Sequence, residues 1–273
     1  MMSSSTSGES HPFATVTIPV WSLREWFPKT EGDDMKSRVN AFLAAAILIC
    51  MIPAAAFAIM PYNQDFEALD QANTAALGDD GWLIFANVFG PDGGYWYGYG
   101  VFPAPNDGAA FSAIVTGEGG IDQGDQQLVA FSDYNNADHG NGAFIETNLF
   151  QERVIEAGDV TETWRFDFDA KRGNIEGQTT ALAFIKTLDP NAGYAMTNFV
   201  VADMTDIADT WGSYSLTLLI DASLEGQLIQ IGFSSTATAY EGSGIFYDNI
   251  NFAVDGPVAT EARSWTGVKS LFE

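Results

Sequence analysis

Residues 209–252 read DTWGSYSLTLLIDASLEGQLIQIGFSSTATAYEGSGIFYDNINF, and this stretch decides the fold. Three runs within it, Ser213 to Ile220, Leu228 to Phe233 and Gly244 to Phe252, are rich in β-branched, aromatic and leucine residues. Segments rich in Gly, Ser, Asp and Glu separate them, which is a three-strand antiparallel signature. Side chains alternate along a strand, so Ile245, Tyr247, Asn249 and Asn251 are expected on one face of the last run. Phe246, Asp248, Ile250 and Phe252 are expected on the other, which aims Asp248 into the apolar set. A carboxylate there needs a counter-charge or a bound cation.

Further strands are expected at Trp82 to Phe89, Leu128 to Phe131, Ile145 to Ile155, Thr163 to Lys171, Thr179 to Ile185 and Ala195 to Val201. Turns such as Lys171-Arg172-Gly173-Asn174 and Leu188-Asp189-Pro190-Asn191 separate them, and no long 3.6-residue period appears between 62 and 252. Short strands at this spacing predict an all-β fold, a two-sheet antiparallel sandwich.

The order T-W-x-x-Y-S-L-T, D-A-S, I-Q-I-G-F and F-Y-D-N-I-N-F resembles the end of a carbohydrate-binding-module jelly roll of the galactose-binding-like type. Asn63-Gln64-Asp65-Phe66-Glu67 with Gly81-Trp82 resembles the N-F-E…G-W opening of those modules. Phe166-Asp167-Phe168-Asp169-Ala170-Lys171 resembles their central F-x-F-D-A-K strand. The resemblance covers about residues 62 to 252 and implies a jelly roll. It also implies a structural calcium ion where the opening F-E segment meets the closing D-N strand, at Glu67 and Asp248. Asp65, on the same strand face as Glu67, would add an oxygen, and backbone carbonyls and water would complete the shell of six to eight. The alternative for Asp248 is a turn cap accepting backbone N–H groups.

The 273 residues carry 11 Lys plus Arg against 36 Asp plus Glu, a net charge of −25. That sign argues against nucleic acid or an anionic membrane as partner, and its plainest use is solubility. Seven of the basic residues lie beyond residue 58: Arg153, Arg165, Lys171, Arg172, Lys186, Arg263 and Lys269. The single cysteine, Cys50, falls in an apolar run from Ala41 to Ile52, so a chain processed beyond it holds no disulfide.

Residues 1–34 mix Ser, charges, Pro and aromatics without a period, and read as a disordered extension or a misassigned start. From Met35, the order Lys36 and Arg38, apolar run, Pro53 and Ala56-Phe57-Ala58 is that of a secretory signal over 35–58, cleaved after Ala58. An uncleaved anchor competes with this, although the run is short for a span of about 20 residues. A lipoprotein signal at Cys50 would have to tolerate the bulky Ile49. The sandwich is expected over 59–254, in a secreted, periplasmic or cell-surface protein. A tail follows over 255–273, where Trp265, Val268 and Leu271 or Phe272 share one face of a short helix capped by Ser264, suited to docking on the sandwich or on a protein partner.

Gly90-Pro-Asp-Gly-Gly-Tyr95-Trp96-Tyr97-Gly-Tyr99-Gly100 places four aromatics among glycines. In a loop they present flat faces on which a sugar ring stacks. In a strand, Tyr95, Tyr97 and Tyr99 share one side and Trp96 takes the other. Tyr134 and Trp211 are weaker candidates for the same glycan contact. Ser132 to His139 concentrates oxygen ligands but lacks the Gly and closing Glu of an EF-hand loop, so it reads as a calcium loop or as Asx turns.

Three functions compete. A non-catalytic module binding a poly- or oligosaccharide fits the surplus of aromatic and hydrogen-bonding side chains. A surface or matrix adhesion protein would use the same fold without a small ligand. A glycosidase would need two carboxylates about 5–9.5 Å apart across a cleft. In F-D-F-D-A-K the phenylalanines take the inner face and leave Asp167 and Asp169 outside. With one histidine beyond the leader, no Ser/His/Asp set is legible.

Overall fold

A computed structural model describes residues 59–106 and 111–256. The expectations for residues 1–58 and for the tail helix lie outside the described residues. Among those described, the strands in chain order are β1 (Tyr62–Gln64), β2 (Leu83–Phe89), β3 (Tyr95–Pro103), β4 (Ser112–Thr116), β5 (Gln126–Ala130), β6 (Phe144–Val154), β7 (Thr163–Arg172), β8 (Thr180–Asp189), β9 (Ala195–Asp203), β10 (Gly212–Leu219), β11 (Leu228–Ala237) and β12 (Ile245–Val254). The α-helix, α1, is the four-residue Ala76–Asp79. No helix among the described residues is long and apolar enough to cross a membrane.

The strands form two antiparallel sheets, a jelly-roll β-sandwich. The first runs β10-β7-β12-β5-β4 with β1 also paired to β12, and the second runs β3-β2-β6-β11-β8-β9. The three runs of 209–252 are strands, but no two of them pair with one another. β10 and β12 flank β7 in the first sheet, whereas β11 lies between β6 and β8 in the second. The turn at Ala222–Leu224 and the segment after Ala237 carry the chain across the sandwich each time. Sequence neighbours therefore meet through the core and not through a ladder.

Alternation fills that core. Phe166 and Phe168 of β7 are buried while Asp167 and Asp169 face outward, as the F-D-F-D pattern requires. Phe233 of β11 reaches across to the first sheet: its ring stacks on Tyr247 at 3.5 Å and lies 5.3 Å and 5.7 Å from Phe168 and Phe166. Trp82 stacks on its other side at 6.2 Å.

One residue before Phe233, Gly232 sits where the β6 backbone comes close. A Cβ there would lie 2.1 Å from the Leu149 carbonyl oxygen and 2.7 Å from the Phe150 Cα, both of them backbone atoms. Gly232→Ala is expected to cost about 1–3 kcal/mol through the forced backbone shift, read as a lower urea midpoint. An unchanged midpoint would show that the strands have room to part.

The last strand departs from simple alternation. Its register against β7 shifts between Asp248 and Asn251, and Asn249 takes φ 47°. Ile245 and Tyr247 face the core before this bulge, and Ile250 and Phe252 face it afterwards. Asp248 pairs in register with Asp169, on the outer side, so it does not point with Ile250 and Phe252. The extra residue of a bulge exchanges faces, which an uninterrupted period of two does not anticipate.

Candidate functional site

The outer face of the second sheet carries side chains that a solvent-facing sheet has no structural need to hold. The register sets them in rows across the strands. Glu152, Gln230, Lys186 and Phe199 form one row, and Phe150, Gly232, Phe184 and Val201 the next. Asn148 and Ser234 follow with Phe85, then Asn87 with Glu146, and finally Tyr95, Phe89 and Phe144 at the β3 end. Phenylalanine rings thus alternate with amides, carboxylates and a lysine.

The polar members are held in place and sunk between the rings. Glu146 Oε1 accepts from both Asn87 Nδ2 and Asn148 Nδ2 at 2.8 Å. Gln230 donates through Nε2 to Glu152 Oε2 at 2.6 Å, while its Oε1 is buried without a partner. Asn148, Gln230 and Ser234 are 6 %, 4 % and 5 % exposed, low for polar groups on an outer face. The Lys186 ammonium lies 4.9 Å from the Phe184 ring centroid and 5.9 Å from that of Phe150. Burial pulls it below its ordinary pKa, which Glu146 and Glu152 partly offset. A buried amide oxygen without a donor is costly, and such an oxygen is suited to a hydroxyl from outside.

The glycine-flanked aromatics are the edge strand β3. Tyr95 is 59 % exposed and shares the face just described, with its ring edge-on to Phe89 at 5.8 Å. Trp96 is 44 % exposed and lies at a register shift, its indole packed so closely over Gly90 that a Cβ there would meet Nε1 at 2.6 Å. Beyond the shift, Tyr97 and Tyr99 pair with Val88 and Ala86 on the opposite side. Tyr95, Tyr97 and Tyr99 therefore do not share a face, because the bulge exchanges sides after Trp96.

Tyr97 donates to Asp138 Oδ2 and Tyr99 to Asp133 Oδ2, each at 2.6 Å. The Asp138 hydrogen bond raises the Tyr97 pKa, and burial together with Asp133 raises that of Tyr99. The Ser132 to His139 segment is an Asx-capped turn: Asn136 caps the 3-10 turn Ala137–Asn141, and both aspartates hold tyrosine hydroxyls. Tyr134 is half-buried, edge-on to the exposed Tyr240 at 5.1 Å. Trp211 belongs to the first sheet's surroundings, donating to the Glu118 carbonyl at 2.9 Å with Lys171 over its ring at 5.5 Å.

A groove of about 440 Å³ opens on the outer face of the first sheet, lined by Arg165, Asp167, Asp169, Ser213, Ser215 and Asn249. Its two carboxylates are occupied as acceptors. Asp167 takes Arg165 at 2.8 Å, and Asp169 takes Ser213, Gln123 and Asn249 at 2.7–2.9 Å.

The three residues expected to hold calcium lie near one another without forming a ready cage. Among the described residues no group of three or more His, Cys, Asp or Glu stands ready to hold a metal ion. Glu67 Oε1 accepts from the Asp125 and Gln126 N–H groups at 2.8 and 2.7 Å, and Asp65 Oδ1 accepts from the Glu67 N–H at 3.2 Å. Asp248 is buried; its Oδ1 takes the Asn249 N–H at 2.6 Å and its Oδ2 has no partner. Burial first, then Asp169, Asp65 and Glu67, pushes its carboxyl up to about 7. An orphaned buried carboxylate oxygen among acidic neighbours fits a hard cation.

The fold and this face define the class, a two-sheet sandwich presenting a polar and aromatic sheet surface. No protein-family model matches the chain, and no curated protein matches it. Similar solved structures include the Stig cyclase Fisc of Fischerella sp. TAU, at 12% identity and TM-score 0.42 over 72% of this chain and 98% of that one. The CBM22-1 xylan-binding domain of Paenibacillus barcinonensis Xyn10C matches at 10% identity and TM-score 0.39, over 75% of this chain and 98% of the domain. The enzymatically active domain of bacteriophage CBA120 tailspike protein 4 matches at 12% identity and TM-score 0.39, over 68% of this chain. The match spans only about a fifth (21%) of that domain's chain. Carbohydrate-binding modules of families 4 and 16 are also among the structures matched.

Proposed function

We propose that this protein is an exported, non-catalytic carbohydrate-binding sandwich of the galactose-binding-like kind. Its ligand, a poly- or oligosaccharide, lies across the outer face of the second sheet and onto the aromatics of the β3 edge. The observation that carries this reading is the face itself, where buried amides and half-buried carboxylates alternate with phenylalanine rings and end on an exposed tyrosine. Sugars offer hydroxyls in the ring plane and apolar C–H faces above it, so amides and carboxylates take the first and aromatic rings the second. Six strands about 4.8 Å apart make a face about 24 Å wide, room for a short run of sugar units. Trp96 and Tyr97 extend the ring surface around the edge, with Tyr99, Tyr134 and Trp211 as more distant candidates.

A polysaccharide pull-down with the exported protein tests the reading. Tyr95→Ala and Trp96→Ala should each weaken retention about 2- to 10-fold, the equivalent of about 0.5–1.5 kcal/mol, with melting nearly unchanged. A large fall in melting temperature with unchanged retention would make these rings structural. Retention of no glycan would favour the adhesion protein instead.

A structural calcium ion belongs to the same proposal. Asp248 Oδ2 would be its buried ligand, with Asp65 and Glu67 contributing from the opening segment and backbone carbonyls or water completing the shell. The orphaned oxygen supports this, and the ion would neutralise a carboxylate that burial disfavours as an anion.

A further inference from the structure

Asp159 is a completely buried carboxylate that no lysine or arginine among the described residues balances. It closes the 3-10 turn Ala157–Asp159 between β6 and β7 and is 0 % exposed. Its Oδ2 accepts the Glu156 N–H at 2.8 Å. Both of its oxygens converge on one further atom, the backbone nitrogen of Ile59, at 2.9 Å from Oδ1 and 3.1 Å from Oδ2. Ile59 lies 100 residues earlier in the chain, is 4 % exposed, and belongs to the hydrophobic core.

A peptide nitrogen is a poor centre for this arrangement. It has one hydrogen to divide between two carboxylate oxygens, and it carries no charge. The two neutral N–H groups stabilise the buried carboxylate by hydrogen bonding but bring no counter-charge to it. An α-ammonium at the same position has three hydrogens and a full positive charge. Ile59 is also the residue that follows Ala56-Phe57-Ala58, where the small-residue end of the leader sets its cleavage.

We propose that Ile59 is the N-terminus of the processed protein and that its α-ammonium forms a buried ion pair with Asp159. Cleavage of the leader thereby completes the core of the sandwich. A signal peptidase hydrolyses the Ala58–Ile59 peptide bond. The carbonyl carbon of Ala58 takes the oxygen of water and departs as a carboxylate, and both protons of that water pass to the Ile59 nitrogen, giving the ammonium. An α-amine of ordinary pKa near 8 is charged at neutral pH, and the adjacent carboxylate favours that form. The pair locks the chain entering β1 to the turn entering β7, so a protein still bearing its leader would lack one long-range tie. The inference rests on reading residues 35–58 as a removed leader, and it is independent of which glycan the second sheet binds.

The test uses the full chain exported by a secreting host, beside an Ala58→Phe form in which cleavage is blocked. Intact mass should place the mature start at Ile59 with an unmodified amine. Asp159→Asn should lower the melting temperature of the processed protein by about 10 °C, and that of the blocked form by only a small fraction of this, since an asparagine oxygen still accepts an amide N–H. An amine-acylating reagent should modify the Ile59 α-amine only after unfolding, a readout available even if Asp159→Asn fails to fold. A mature start at any other residue overturns the inference together with the assigned cleavage point. A start at Ile59 with equal cost of Asp159→Asn in both forms, or with rapid acylation in the native state, overturns the ion pair and leaves export standing.

Discussion

Phe233→Ala should lower the stability of the sandwich by about 3–5 kcal/mol, the range for losing a phenylalanine from a core that does not collapse around the gap. Phe233 is 1 % exposed and is the ring through which the second sheet meets Trp82, Phe166, Phe168 and Tyr247. Removing it leaves four aromatic neighbours facing a cavity that none can fill without leaving its own rotamer. For a protein of this size the melting temperature should fall by about 6–20 °C. Phe199→Ala, at a ring 46 % exposed on β9, should cost less than about 1 kcal/mol and serves as the control. A Phe233→Ala loss as small as that of Phe199→Ala would mean that the two sheets are not packed through this ring.

The second large effect concerns Asp248 and pH. Its carboxyl is held near 7 in the folded protein against an ordinary value of 3.8, so the folded state binds the proton more tightly than the unfolded one. The contribution to stability is therefore full below about pH 4, lost as pH rises through 7, and flat above that. In chelator, the wild type should lose about 2–4 kcal/mol between pH 4 and pH 8, the upper figure being the full linkage value. Asp248→Asn should remove this slope and leave the variant the more stable protein at pH 8. Excess calcium should reverse the order, raising the wild type by about 2.7 kcal/mol at a hundredfold excess over Kd and leaving Asp248→Asn unmoved. Parallel pH profiles for the two proteins in chelator would contradict the burial argument. Equal melting of the wild type with calcium and with chelator would contradict the ion alone.

Much of the sandwich was legible because its strands obey the period of two. Phe166-Asp167-Phe168-Asp169 declared its inner and outer faces directly, and the structure keeps them. What period cannot show is where it breaks. The bulges in β12 and between β2 and β3 each exchange faces at one residue, which moved Asp248 outward and separated Tyr95 from Tyr97 and Tyr99. The short strand β1 carried too few alternations to be seen, with 3 residues. Nor does local sequence reveal which strands become neighbours. The rows of the second sheet join Asn87 to Glu146 and Glu152 to Gln230, pairs 59 and 78 residues apart. Only Glu146 and Asn148, two apart on β6, hinted that polar residues line an outer face. The aromatic cluster was visible because its rings are adjacent in sequence, but the glycines among them left loop and strand equally open. The face it borders was not, because the fold assembles it from distant segments.

The most direct measurement of the central claim is hydrogen–deuterium exchange of the exported protein with and without the polysaccharide that it retains. The proposed docking predicts slower exchange in β3, β2, β6 and β11, including the amides around Tyr95, Glu146 and Gln230, with β7 and β10 unchanged. Protection confined to the first-sheet groove around Asp167, Asp169 and Ser213, or no protection with any retained glycan, would contradict it.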